Sequence, residues 1–145
     1  MFTKILFPID FSVHARKVKE EILKIKDCGI NEIVLLHVIN KKLLRYSPIS
    51  HELTINDMFI DGDIARNAEL KLKDWAKDLD NTNITIKYDI VKGNPFDEII
   101  GYSQKEKCTL IIMGFKGLTE TEDLLIGSTA EKVARKSKIP VMIIK

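Results

Sequence analysis

The chain is 145 residues long, the size of one domain spanning 1–145, and its 45% hydrophobic and 30% charged residues exclude a disordered polymer. A formal charge of +2, with Lys and Arg interleaved among Asp and Glu, gives no basic stripe for nucleic acid. No apolar run approaches the roughly 18 residues that span a bilayer, and Met1-Phe2-Thr3-Lys4 enters a strand pattern without a signal-peptide layout, so no membrane is implied and a cytoplasmic location is expected.

Lys4 to Ile9 is a short apolar run without clean alternation, the mark of a strand buried on both faces, with Pro8 near its end. After Asp10-Phe11, Ser12 is positioned to cap a helix whose Ala15, Val18, Ile22 and Ile25 share one stripe and which stops at Gly29. Ile33 to Ile39 is a second continuous apolar strand. The segment from Lys41 to Gly62 carries too many apolar residues for a plain linker and reads as a partly helical excursion over a pocket or partner surface. From about Asp63 the spacing of Ile64, Ala68, Leu72, Trp75, Ala76 and Leu79 predicts a helix, with Trp75 in the core. Asn81-Thr82-Asn83 reads as a turn. Ile84, Ile86, Tyr88 and Ile90 then alternate with polar residues, as a half-exposed edge strand would. Asn94, Pro95, Asp97 and Glu98 are a helix-start signature. Thr109 to Met113 is the fourth strand, Ser128 is expected to cap a last helix to about Ser137, and Pro140 to Ile144 is the fifth strand. His37, on an apolar strand, reads as a core histidine.

Strands alternating with helices imply an α/β fold, a five-stranded mostly parallel sheet with helices on both faces. Right-handed crossovers make a doubly wound sandwich the natural topology; with the strand order 3-2-1-4-5, taken as the expectation, the switch point lies between strands one and four. The carboxyl ends flanking that point carry Asp10 and Gly114. Gly114-Phe115-Lys116-Gly117, nine residues of spacer, then Gly127-Ser128-Thr129 form a glycine-punctuated loop between a strand and a helix start. Such a loop brings backbone N–H groups and a helix dipole onto an anion, a phosphate cradle. It is neither a Walker A loop nor a GxGxxG turn. The lesser reading of Asp10 is as an acid that caps the helix following it.

The spacing Gly-2X-Gly-9X-Gly-Ser resembles the signature of the ATP-binding branch of the universal stress proteins. The likeness extends along the chain through Phe7-Pro8-Ile9-Asp10-Phe11-Ser12, Leu35-Leu36-His37-Val38, Gly93-Asn94-Pro95 and Pro140 to Ile144. It implies an adenine nucleotide alpha hydrolase-like, Rossmann-like fold binding ATP, or AMP or ADP. Pro8, Ile9 and Asp10 would contact the adenosine and Val38 the adenine. Met113, Gly114 and Gly117 would line the ribose and phosphates, and Gly127, Ser128 and Thr129 would hold the phosphates. Lys116 stands where family members often carry His or Arg; it keeps the charge but not a bidentate fork. Glu120, Glu122 and Asp123 in the spacer would repel a triphosphate unless they face solvent, with Mg²⁺ bound chiefly through the phosphates.

No catalytic pair is legible, so at most slow ATP hydrolysis is expected of a nucleotide-dependent regulatory, stress-response module. The alternative is a nucleotide-free member of the family acting through protein contacts. A phospho-receiver would need clustered acids that are missing here, and an SGGxDS-type ligase would need glycines that Pro8-Ile9-Asp10-Phe11-Ser12 lacks. The apolar strand Val141 to Ile144, at a sheet edge in this order, is expected to pair two copies into a homodimer, as the resemblance also implies.

Overall fold

The structure, a computed structural model, describes residues 1–41, 55–80, 83–116 and 125–145, with backbone alone over 55–61. Five parallel strands, β1 (Lys4–Pro8), β2 (Glu32–Asn40), β3 (Thr85–Gly93), β4 (Leu110–Gly114) and β5 (Val141–Ile144), lie in the order β3-β2-β1-β4-β5. The helices are α1 (Val13–Ile25), α2 (Ile55–Leu79), α3 (Pro95–Lys105) and α4 (Ser128–Lys136). This is the fold expected from the strand and helix patterns.

Alternation along the strands divides the core in two. Ile5 and Phe7 of β1 and Ile33 and Leu35 of β2 pack with Ala15, Val18 and Ile22 of α1 and Leu72 of α2 on one face. Leu6, Val34 and Leu36 pack with Ile99 of α3 and Ala130 and Val133 of α4 on the other. The middles of β1 and β2, Ile5 to Phe7 and Ile33 to Leu36, are buried on both faces and apolar at each position, which is why they read as continuous runs. β3 sits at an edge with Thr85, Lys87 and Asp89 exposed between the more buried Ile84, Ile86 and Ile90, as its alternating pattern predicts, except that Tyr88, of the inward series, is exposed too.

Local chemistry sets most element boundaries. The Ser12 hydroxyl accepts from the Ala15 N–H at 3.2 Å at the start of α1, and Gly29 takes a left-handed φ of 88° beyond its end. Asn94 Oδ1 accepts from the Phe96 N–H at 3.1 Å, with Pro95 in the first turn of α3. Two expectations need correction. The α2 helix begins at Ile55, not near Asp63, because Gly62 lies inside it. An interior glycine costs a helix only about 1 kcal/mol relative to alanine, too little to stop one of 25 residues. Residues 42–54, the rest of the excursion, and Asn81 and Thr82 of the expected turn lie outside the described residues.

The second correction concerns α4. Its N-cap is Gly127, with φ −60° and ψ 149°, and no side chain caps it. The Gly127 carbonyl accepts the first helical bond from the Glu131 N–H at 2.9 Å, which puts Ser128 one position inside the helix. A hydroxyl there is past the place from which capping side chains reach the second and third amides.

Candidate functional site

The sheet splits at its switch point, and a proline explains why. The Ile9 N–H donates to Leu36 O at 2.7 Å, so Ile9 faces β2; by the alternation of a strand, the nitrogen of Pro8 faces β4. Having no proton, it cannot extend that ladder. Pairing between β1 and β4 ends at Leu6 and Ile111, although β4 runs on to Gly114. The strands diverge beyond that point and a crevice of about 520 Å³ opens between them, a size typical of small-molecule sites.

Ten of the eleven site residues expected from sequence line this one crevice. Pro8, Ile9 and Asp10 come from the end of β1, and Val38 from β2. Met113, Gly114 and Lys116 come from the end of β4, and Gly127, Ser128 and Thr129 from the start of α4. Gly117, like the acidic spacer residues Glu120, Glu122 and Asp123, lies outside the described residues. The sequence reading missed Asn40 at the end of β2, Ile64 of α2, and Pro95 and Ile99 of α3, which line the crevice as well. Pro95 carried a signal, since it stands in the first turn after β3, beside the same carboxyl end of the sheet. Ile64 carried none, because its place depends on how α2 crosses the sheet.

The β4 side of the crevice is built to receive negative charge. Phe115 is tied twice, its N–H donating to Ile144 O at 2.9 Å and its carbonyl accepting from the Gly127 N–H at 2.8 Å. These bonds bring Lys116 and the start of α4 together as one unit. They also commit the Gly127 N–H to the chain itself; the positive end of the α4 dipole still points at the crevice that Gly127, Ser128 and Thr129 line. Lys116 is only 7% exposed, and its Nζ is sealed from solvent with no hydrogen-bond partner among the described residues. The nearest compensation is the Phe115 ring, 6.0 Å from Nζ to centroid, at the limit of a useful cation–π contact. A buried, unpaired ammonium is costly unless an anion joins it. Gly114 meets a separate requirement. A Cβ there would lie 3.0 Å from His14 Cβ and 3.3 Å from its carbonyl carbon, so glycine lets α1 pack closely on the end of β4, where any side chain would push it out by a few tenths of an ångström.

The β1 side holds a carboxylate in a constrained turn. Asp10 Oδ1 accepts from the Ser12 N–H at 3.0 Å, so Asp10 braces the turn while Ser12, not Asp10, caps α1. Phe11 has a left-handed φ of 62°, which costs a residue with a Cβ about 1–2 kcal/mol. Its ring is repaid by contacts: His37 at 4.8 Å, Trp75 edge-on at 6.0 Å, and Lys71 Nζ 5.1 Å above it. Aromatic pairs of this kind contribute about 0.5–1.5 kcal/mol each. Trp75 also meets Phe7 at 5.9 Å, the core role expected of it. His37 is core-facing but also borders the crevice. Its Nδ1 lies 2.6 Å from Ile9 O; a carbonyl only accepts, so Nδ1 carries the proton. Burial, only partly opposed by that bond and by Asp10, holds the His37 pKa below its usual value.

A parallel α/β sheet with a charged, helix-capped crevice at its switch point defines a class of small-ligand-binding domains. Residues 1–145 match the universal stress protein family, and the chain belongs to that family. Universal stress protein MJ0577 of Methanocaldococcus jannaschii is 30% identical over 155 residues, covering 100% of this chain and 96% of the relative. Its solved structure superimposes with a TM-score of 0.88. The universal stress protein from Archaeoglobus fulgidus in complex with dAMP (16% identity, 99% of this chain and 98% of that one, TM-score 0.64) shares the fold. So does a universal stress protein in complex with cAMP (22% identity, 99% and 97% covered, TM-score 0.64). Among the described residues no helix is long and apolar enough to cross a membrane.

Proposed function

We propose that the chain is one cytoplasmic universal stress protein domain that binds an adenine nucleotide, ATP by preference, and acts as a nucleotide-dependent regulatory module. The observation that carries this reading is the buried ammonium of Lys116, without a partner among the described residues, beside the uncapped start of α4. A nucleotide-free module would leave that charge without a hydrogen-bond partner among the described residues. The family relationship supports the reading, as do relatives of the same fold in complex with dAMP and cAMP. In this reading Asp10, with Pro8 and Ile9, takes the adenosine and Val38 flanks the adenine. Met113, Gly114 and Gly117 border the ribose and phosphates. Gly127, by its missing side chain, and the amides of Ser128 and Thr129 admit the phosphates, Lys116 supplies their counter-charge, and Mg²⁺ is held through the phosphates.

The test is a melting experiment with ATP-Mg²⁺, ADP and AMP. At ligand about 100-fold above Kd, linkage adds roughly 2.7 kcal/mol. With an unfolding entropy of about 0.3 kcal/mol/K for a chain this long, the midpoint rises by about 9 °C. No shift with any of the three at millimolar concentration overturns the reading. Regulation also needs an assembly. The edge strand β5 exposes Met142 by 39% among apolar neighbours, and pairing it with a second copy would cover that edge. Sedimentation should show a dimer that Met142→Lys converts to monomer; a monomeric wild-type chain at micromolar concentration would exclude this part.

A further inference from the structure

Only two residues with a side chain adopt left-handed backbone among the described residues, Phe11 and Lys107. Lys107 follows the end of α3, where that conformation ordinarily terminates a helix. Phe11 ends no helix. It lies in the two-residue connection, Asp10-Phe11, between two fixed points. Ile9 is pinned to β2 by its N–H to Leu36 O and by its carbonyl to His37 Nδ1. Ser12 is pinned as the cap of α1. The torsions of Asp10 and Phe11 are what remain to set where the Asp10 carboxylate stands. Strain of this kind persists only where the surroundings enforce it, and it gathers at functional sites.

We propose that Phe11 is a positioning residue for Asp10: its ring, boxed by His37 of β2 and by Lys71 and Trp75 of α2, holds the turn in the conformation that braces the Asp10 carboxylate beside the crevice. Without the ring nothing opposes relaxation to negative φ. The peptide between Phe11 and Ser12 then rotates, and the Ser12 N–H leaves Asp10 Oδ1. The box also makes α2 part of the site. Lys71 and Trp75 touch no crevice surface, yet they hold the ring that holds the turn, so a displacement of α2 reaches Asp10 through Phe11. The consequence for ligand affinity rests on the nucleotide reading above; the consequence for Asp10 itself does not.

Amide hydrogen exchange at Ser12 reads the geometry with no ligand present. Phe11→Ala removes the ring and keeps the Cβ that penalises left-handed backbone, and Phe11→Tyr keeps the ring. In the Ala variant the Ser12 amide should exchange at least tenfold faster, with Val18 of α1 unchanged, and the Tyr variant should behave as wild type. In ATP titrations Phe11→Ala should weaken binding about tenfold, but should add nothing in an Asp10→Ala background and should leave inorganic tripolyphosphate binding unaltered. Unchanged Ser12 exchange overturns the proposal, as does acceleration of Ser12 and Val18 in step or an additive double variant. If wild type binds no adenine nucleotide, the nucleotide reading fails while the Ser12 measurement still decides the role of Phe11.

Discussion

Replacing Lys116 by methionine should move stability and binding in opposite directions. The side chain is 7% exposed and its Nζ has no hydrogen-bond partner among the described residues, so folding without ligand buries an ammonium that no described residue hydrogen-bonds. Methionine fills similar space with no charge, and removing an unsatisfied buried polar group is worth about 1–3 kcal/mol. At roughly 0.3 kcal/mol/K the ligand-free variant should melt about 3–10 °C higher than wild type. Binding should suffer. A charge-assisted hydrogen bond to a phosphate contributes about 1.5–3 kcal/mol, so ATP affinity should drop by about 10- to 150-fold. At a concentration 100 times the wild-type Kd, a 100-fold loss cuts the linkage term from about 2.7 to about 0.4 kcal/mol. The ATP-induced shift therefore falls from about 9 °C to about 1 °C. Parallel melts with and without ATP-Mg²⁺, with calorimetric titration for Kd, supply all four numbers. A ligand-free Lys116→Met protein that melts below wild type, or an undiminished ATP shift, refutes the reasoning.

Two further predictions follow from the same side-chain environments. Gly114→Ala places a Cβ 3.0 Å from His14 Cβ and 3.3 Å from His14 backbone; since α1 must shift, urea unfolding should show a loss of about 1–3 kcal/mol. His37 has its folded-state pKa lowered, first by burial, so below about pH 6.5 the unfolded chain takes up a proton more readily than the folded one. The stability contributed by neutral His37 is complete above that pH and declines as the pH falls toward the folded value. Urea midpoints between pH 8 and pH 5 should therefore fall more steeply in wild type than in His37→Gln; equal slopes would rule out His37 as the source.

Much of the fold was legible because burial writes itself into periodicity. Ile33 to Ile39 is apolar at every position but His37 because β2 has a helical layer on each face, whereas Ile84 to Ile90 alternates because β3 has one face in solvent. Caps at Ser12 and Asn94 were readable for the same local reason, a side chain reaching an amide two or three residues on. The cap of α4 was misplaced by one residue because it is a glycine with no side chain to announce it, and Ser128 beside it looked the better candidate. The start of α2 was missed because its regular apolar spacing is clear only from Ile64 onward, while the apolar-rich stretch before it read as a partly helical excursion.

The site divides along a similar line. Residue order alone determined that Asp10 and Gly114 stand at the ends of apolar strands, and that a glycine loop precedes a helix start. Those follow from apolar patterning and from which residues tolerate which torsions; that the two strands flank the switch point follows from the strand order of the folded sheet. Tertiary structure alone decided the rest. The nitrogen of Pro8 opens the crevice only because it faces β4. Lys116 becomes a sealed charge only because Phe115 is tied to both Ile144 and Gly127. Phe11 is held in left-handed backbone only because His37, Lys71 and Trp75, from two separate elements, meet around its ring. Local pattern records whether a residue is apolar or polar; what it costs to bury it, and what it then holds in place, depends on neighbours distant in the chain.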